Sequence, residues 1–336
     1  MIRRVIAALA VLAWACGAAD LQAPAEAKPR AATRARPAPR GPVRIGSGNV
    51  DRVTKAWEAA AGGFGRAVAV SRKLVRVAVS SGSPVKIYDL YSGRPVATIP
   101  TCADVIRGGM AYVDGRLVVV CESGVRTYEG TDESSQRVDT SPAKITAAAF
   151  AGTRLALGHH DGVVRIHDLG GAPPIEIPVP GPPIDVKSLA LTRDGSRLAV
   201  AWVQGSIWWW DVAQPAAPHP LTRRDSESDS VAWSDDGSLF AEEGNTNATT
   251  VWSFGAAPAE QATLRNGDWV KRILFTRDGK WLVRGGSDGL DLAEIAGPRR
   301  VVLESRGSVE DVALDEIGAL VAAVDRDGRL TVWGTR

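Results

Sequence analysis

Thr146-Ala147-Ala148-Ala149-Phe150-Ala151-Gly152-Thr153-Arg154-Leu155-Ala156-Leu157-Gly158-His159-His160-Asp161-Gly162-Val163-Val164-Arg165-Ile166-His167-Asp168 contains three short apolar runs, broken at Ala151-Gly152-Thr153 and again at Asp161-Gly162. Both breaks supply the glycine that a tight hairpin needs, and runs of about five residues between such turns read as strands. A fourth run, Pro174-Ile175-Glu176-Ile177, follows. The segment therefore encodes one small, four-stranded antiparallel sheet.

The same order returns along the chain. The pair that closes its third strand recurs as Tyr88-Asp89, Tyr128-Glu129, His167-Asp168, Trp210-Asp211, Trp252-Ser253, Ala293-Glu294 and Trp333-Gly334, in steps of 40, 39, 43, 42, 41 and 40. The glycines of the first turn are a second ruler: Gly115, Gly152, Gly195, Gly237, Gly279 and Gly318 step by 37, 43, 42, 42 and 39. A period kept by two residue types over seven copies means an array of one repeated unit. Runs such as Leu117-Val118-Val119-Val120 are apolar on both faces and need cover on both sides. Sheets stacked radially around an axis give each one two neighbours and leave only short edges.

Phe275-Thr276-Arg277-Asp278-Gly279-Lys280-Trp281-Leu282 with Gly286-Ser287-Asp288-Gly289, the stretch Gly158 to Asp168, and Asp327-Gly328-Arg329-Leu330-Thr331-Val332-Trp333 resemble the WD40 repeat. The resemblance covers about 66 to 336. The Gly-His pair that opens family repeats is missing, and among these pairs only Trp210-Asp211 is a full Trp-Asp. It implies an all-β, seven-bladed β-propeller of four-stranded antiparallel blades. By the same resemblance Asp161, Asp288 and Asp327 stand at the family's turn aspartate, with a structural role. The last copy stops after its third strand at Trp333, so its fourth strand has to come from the N-terminal side, with Val53-Thr54-Lys55-Ala56-Trp57 as the candidate. Residues 56 to 61 also fit a helical turn. Such closure leaves no open sheet edge.

Of the 336 residues, 49–336 form the expected propeller. Forty basic and thirty-eight acidic side chains give a formal charge of +2, which argues against a general nucleic-acid binder. Residues 1–19 read as an export signal: a charged start at Arg3-Arg4, an apolar stretch from Val5 to Ala15, then small residues. Ala13-Trp14-Ala15-Cys16 resembles the acylation site of bacterial lipoproteins, leaving two processing routes: lipidation of Cys16, or cleavage after Ala15 or Ala19. The expected location is the periplasm or, as a lipoprotein, the outer membrane, with membrane contact only through that lipid. Residues 20–48, rich in Pro, Ala and Arg, read as a solvated tether.

Chemistry-bearing residues are few. His159-His160-Asp161 has the residue types of a metal site, but neighbours on a strand point to opposite faces and spacing implies no third ligand. His167 stands where other copies have Tyr or Trp and reads as blade packing, as does Trp208-Trp209-Trp210. By the family pattern Cys102 and Cys121 fall at one rim of the propeller, as a disulfide or as two partly buried thiols. No catalytic residue, metal or cofactor is assigned. The resemblance implies a non-enzymatic binding module, monomeric, that offers one rim to a protein partner and does not bind nucleic acid. That rim includes Ser81, Glu122, His159, His160, Gln204, Asn245, Ser287 and Arg326. The alternative is an exported propeller enzyme, of lactonase or quinone-dependent dehydrogenase type, with its site in the central channel.

Overall fold

The computed structural model describes residues 43–335 except 135–137, 140, 179, 181–183, 224–227, 245, 246, 256 and 266. The chain folds into seven four-stranded sheets. Their innermost strands are Ala67–Ser71, Val105–Val113, Ile145–Ala151, Val186–Leu191, Ser228–Trp233, Val270–Phe275 and Val309–Leu314, which define blades 1 to 7. Each innermost strand contacts the next, and the seventh returns to the first, closing a ring around a channel. The fold is the seven-bladed β-propeller expected from the repeat.

Blade 3 shows how the sequence does this. Its strands are Ile145–Ala151, Arg154–His159, Val164–Asp168 and Ile175–Ile177, paired in chain order. Gly152 sits at φ 58° and Gly162 at φ 84°, the left-handed region that favours glycine at the two turns. In the second strand Leu155, Ala156 and Leu157 are all fully buried, because each blade is covered on both faces by its neighbours. The core is accordingly divided among the blade interfaces. One cluster joins Val164, Ile166 and Ile177 of blade 3 to Val186, Val200, Trp202 and Trp210 of blade 4.

Neighbouring blades are also fastened near the channel. The amide of Val231 donates to Ser188 Oγ at 3.2 Å, and that of Ile273 to Ser230 Oγ at 3.0 Å. Where blade 7 meets blade 1, Asp311 occupies the corresponding position, and its Oδ2 accepts the amide of Val68 at 2.9 Å. Burial pushes the Asp311 carboxyl pKa up, opposed by Arg272, whose Nε lies 3.4 Å from Oδ1.

Blade 7 takes its fourth strand from the N-terminal side. Val53–Ala60 pairs antiparallel with Arg329–Thr335, in the register Val53 with Thr335, Lys55 with Trp333 and Glu58 with Thr331. The candidate Val53-to-Trp57 segment is thus a strand, extended to Ala60, and the helical turn over 56–61 does not form. Trp57 locks it by donating its Nε1–H to the carbonyl of Leu90 in blade 1 at 2.8 Å.

The body begins earlier than the composition suggests. Residues 43–48, assigned to the tether by their Pro- and Arg-rich context, are built into the propeller. Ile45 is fully buried in a cluster with Trp281 and Trp333, and its amide donates to Gly318 O at 2.8 Å. Arg44 Nε donates to Ile317 O at 3.2 Å, and Thr335 Oγ1 to Val43 O at 3.0 Å. Composition averages over a window, whereas a single isoleucine needs only one matching hollow. Residues 1–42, with the signal segment and Cys16, lie outside the described residues. Replacing Ile45 by alanine should cost about 2–5 kcal/mol of stability, read by urea unfolding; no change would place Ile45 outside the cooperative body.

Candidate partner-binding face

Strands alternate in direction, so the connections entering each innermost strand share one face with the turns between second and third strands. On this upper face five of the turns are tied to the entering connection of their own blade. Backbone amides of Glu122, His160, Val203, Ser287 and Arg326 donate to carbonyls of Asp104, Lys144, Asp185, Trp269 and Ser308, at 2.8–3.1 Å. Five repetitions of one bond make the rim a stiff platform.

The channel mouth on this face owes its chemistry to a repeated irregularity. Just after each innermost strand begins, in blades 3 to 7, the pairing register slips by one residue, leaving Thr146, Lys187, Asp229, Lys271 and Glu310 as the extra residues. Such a bulge re-aims one side chain out of the ladder. The last four alternate in charge and form two pairs at the mouth. Lys187 Nζ lies 3.2 Å from Asp229 Oδ1, Lys271 pairs with Glu310, and Glu310 Oε2 meets Arg107 of blade 2 at 3.4 Å. Thr146 Oγ1 donates to Val186 O at 2.7 Å. Below the mouth the channel has a volume of about 510 Å³ with an apolar wall that includes Ala148, Leu189 and Leu274. Its lower end repeats the pattern with Arg193 and Arg277 on Asp235, at 2.7 and 2.5 Å.

Two aromatic side chains stand out from this face. Phe64 is 41% exposed, with the guanidinium carbons of Arg66 and Arg326 at 5.1 and 5.6 Å from its ring centre. Trp269 is 43% exposed, its Nε1–H donated to Asp229 and Lys271 Nζ 5.8 Å from its ring. Both lie in connections that enter an innermost strand. They are absent from the rim residues read from sequence, although both are aromatics off the 41-residue beat, a usable signal.

Of those rim residues, Ser81, Glu122, His160, Gln204, Ser287 and Arg326 sit at upper-face turns. Glu122 is held by Lys144 Nζ at 3.0 Å and His160 Nδ1 lies 3.1 Å from Asp185. Asn245 lies outside the described residues. His159 is not a surface residue: it is fully buried. Adjacent strand residues do point apart, and here that sends His160 to solvent and His159 inward.

His159 meets His167 across Asp139. Its Nδ1 faces the carbonyl of Val163 at 3.0 Å and its Nε2 faces Asp139 Oδ2 at 3.1 Å, while His167 Nε2 lies 3.5 Å from Asp139 Oδ1. A carbonyl and a carboxylate only accept, so both ring nitrogens of His159 donate and the ring is an imidazolium. Burial pulls its pKa down, but the hydrogen bonds to Asp139 and Val163 outweigh it, and the net shift is upward. Asp139 likewise loses hydration, which raises its pKa, yet its bonds from both imidazoles hold it well below the usual carboxylate range. The pair staples the connection between blades 2 and 3.

The structure joins Cys102 and Cys121 in a disulfide, with Cα atoms 6.3 Å apart, fastening the entry of blade 2 to the end of its second strand. Among the described residues, the one grouping with metal-ligand proximity is Cys102, Asp104 and Cys121, and its two sulfurs are bonded to each other. Of the three turn aspartates, Asp161 holds its hairpin by accepting the amide of Val163 at 3.2 Å. The last hairpin is held by Asp325, which accepts the amides of Asp327 and Arg329, rather than by the Asp327 carboxylate. The side chain of Asp288 accepts no hydrogen bond among the described residues. Stronger turn carboxylates lie on the lower face, where Asp194, Asp236 and Asp278 each take a hydroxyl at 2.6–2.7 Å. No protein-family model matches the chain, and no curated protein matches it.

Two outcomes follow from this geometry. The His159 contribution is present below about pH 6.5 and is lost as pH rises through its elevated folded value; that of Asp139 is present above about pH 3.9 and lost as pH falls through its depressed one. The stability lead of the native chain over Asp139→Asn should therefore be largest between about pH 4 and 6.5, at about 3–5 kcal/mol, and shrink at higher pH. Denaturant unfolding across pH measures it. Replacing both Cys102 and Cys121 by serine should cost about 3 kcal/mol, since the bridge closes a short loop; comparing melts of this variant with the oxidised and reduced native chain reads it.

Proposed function

We propose that this protein is a non-enzymatic interaction scaffold whose upper face docks a protein partner outside the cytoplasm. The observation that carries the reading is the pair of exposed aromatics, Phe64 and Trp269, each with cations at its ring, on a stiff rim. Trp and Arg are the residue types enriched where interfaces concentrate their energy, and a rigid platform lowers the entropy lost on docking. The carboxylates that face the channel are engaged within the ring: Glu310 with Lys271, Asp311 with Arg272, Asp235 with Arg277. That supports a binding role over a catalytic channel.

Export is supported by the charged and apolar start of the chain and by the disulfide, which belongs to an oxidising compartment. Acylation at Cys16 would hold the body at a membrane surface. The seven sheets expose only short outer edges, in keeping with a monomer. The resemblance to WD40 propellers agrees with this reading, and the propeller itself is its structural ground.

The test is crosslinked affinity capture from envelope extracts with the native chain and with a Phe64→Ala/Trp269→Ala variant. One protein should be enriched reproducibly by the native chain and bind the variant about 100-fold more weakly, with an unchanged melting temperature. Equal capture by both would rule out this face as the docking surface.

A further inference from the structure

Away from the upper face, a cavity of about 270 Å³ opens between blades 2 and 3. On the blade 2 side it lies beside the described outermost strand Asp132–Glu133, after which the Ser134 amide donates to Thr127 O at 2.7 Å and residues 135–137 lie outside the described residues. Val113, Val118, Leu169 and Pro173 give it apolar walls, and Arg116 and His167 line it as well.

Arg116 departs from its counterparts in blades 3 and 4, whereas Arg76, at the same place in blade 1, stays within its own blade, donating to Val75 O at 3.0 Å with Asp89 at 3.9 Å. In blades 3 and 4 the arginine that starts the second strand reaches across to the next blade's first turn: Arg154 Nη1 donates to Gly195 O at 2.6 Å, and Arg197 Nη1 to Gly237 O at 2.8 Å. Arg116 stands at the same place in blade 2, and Gly152 is its counterpart carbonyl. It makes no such bond, and no ion pair or side-chain hydrogen bond among the described residues. Beside it His167, only 6% exposed, lines the cavity with its Nε2 turned to Asp139 Oδ1 at 3.5 Å.

The nearby acids do not satisfy the arginine. Asp168 also lines the cavity, but its Oδ1 accepts the amide of Gly170 at 2.8 Å and Arg154 lies beside it, which holds its pKa down. Asp139 faces the two imidazoles. Arg116 is left as a guanidinium fork beside an apolar hollow, and such a fork matches a carboxylate in two parallel hydrogen bonds. Cavities of about 150 Å³ accept benzene, so this one has room for a ring with a short acid chain.

We propose that this cavity binds a small monocarboxylate with an apolar body, the carboxylate on Arg116 and the body against Val113, Val118, Leu169 and Pro173. Pockets that take small ligands have this make-up, apolar walls with one or two polar groups that fix orientation. The site is independent of the upper face, so loss of one leaves the other intact.

The probe is 3-phenylpropionate, titrated into the full chain by calorimetry and saturation-transfer NMR, beside 3-phenylpropanamide and 3-phenylpropylamine, which keep the shape and change the charge. The acid should bind at least about tenfold tighter than the amide or the amine. Arg116→Gln should lose that preference, Arg116→Lys should recover part of it, and Arg94→Gln, at an exposed arginine elsewhere, should leave it unchanged. Melting temperatures of the four proteins check folding. The proposal is overturned if the amide or amine binds as well as the acid, if Arg116→Gln binds the acid like the native chain, or if none of the three saturates by about 10 mM, the range expected for a ligand of this size.

Discussion

The pairing of Val53–Ala60 with Arg329–Thr335 is the contact on which the rest depends. Each blade buries its two faces against neighbours, so the core is shared among interfaces and no blade owns one. An array of this kind has two unsatisfied ends until it closes, and closure requires that residues from both ends of the sequence occupy one sheet. The antiparallel register supplies the backbone hydrogen bonds, while Trp57 and Ile45 extend the fastening into blades 1 and 6. Asp311 does the same work near the axis. Ser188 and Ser230 fasten neighbouring blades with a hydroxyl, but the seam between blades 7 and 1 uses a buried carboxylate. A charged acceptor makes a stronger bond at the cost of desolvation, which Arg272 partly offsets.

A second regularity links fold to site. The bulge near the start of the innermost strand is a local departure from the ladder, repeated because the unit is repeated. In blades 3 to 7 it turns one side chain toward the mouth of the channel. The fold fixes where those side chains stand, and the sequence is free to choose what they are. Lys187, Asp229, Lys271 and Glu310 alternate in sign, and they pair as Lys187 with Asp229 and Lys271 with Glu310, which also meets Arg107. The mouth is polar without carrying a strong net field, and the unspent apolar surface lies outside it, on Phe64 and Trp269.

The strands and the turn glycines of most units were legible in the sequence, because hairpins need positive φ and strands need a period of two. So was the N-terminal closing strand, since a unit truncated at Trp333 cannot pair itself. The bulge residues were legible in principle: Thr146, Lys187, Asp229, Lys271 and Glu310 step by 41, 42, 42 and 39, a third ruler with the same period. They differ in type, and a search for recurring identities passes over them. The place of His159 was not legible. Its neighbour Asp139 lies in a connection whose residues do not recur from blade to blade, and a buried imidazolium is decided by that partner. Ile45 was hidden for the opposite reason, being one apolar residue in a stretch whose average composition is that of a linker.

In a repeat protein the regular positions explain the scaffold, and specific chemistry has to be sought where the pattern is interrupted. The interruptions here are of three kinds. A regular bond is made by a different group, as at Asp311. A connection introduces a residue that no other blade has, as with Asp139, Phe64 and Trp269. A bond that two other blades make is absent, as at Arg116. The third is the most informative, because the neighbouring copies show what the residue would do if it served the scaffold alone. Arg154 and Arg197 demonstrate that an arginine there can bridge two blades. Arg116 has the same backbone position and the same side chain, and differs in standing beside an open hollow. Seven copies of one unit thus act as internal controls on each other.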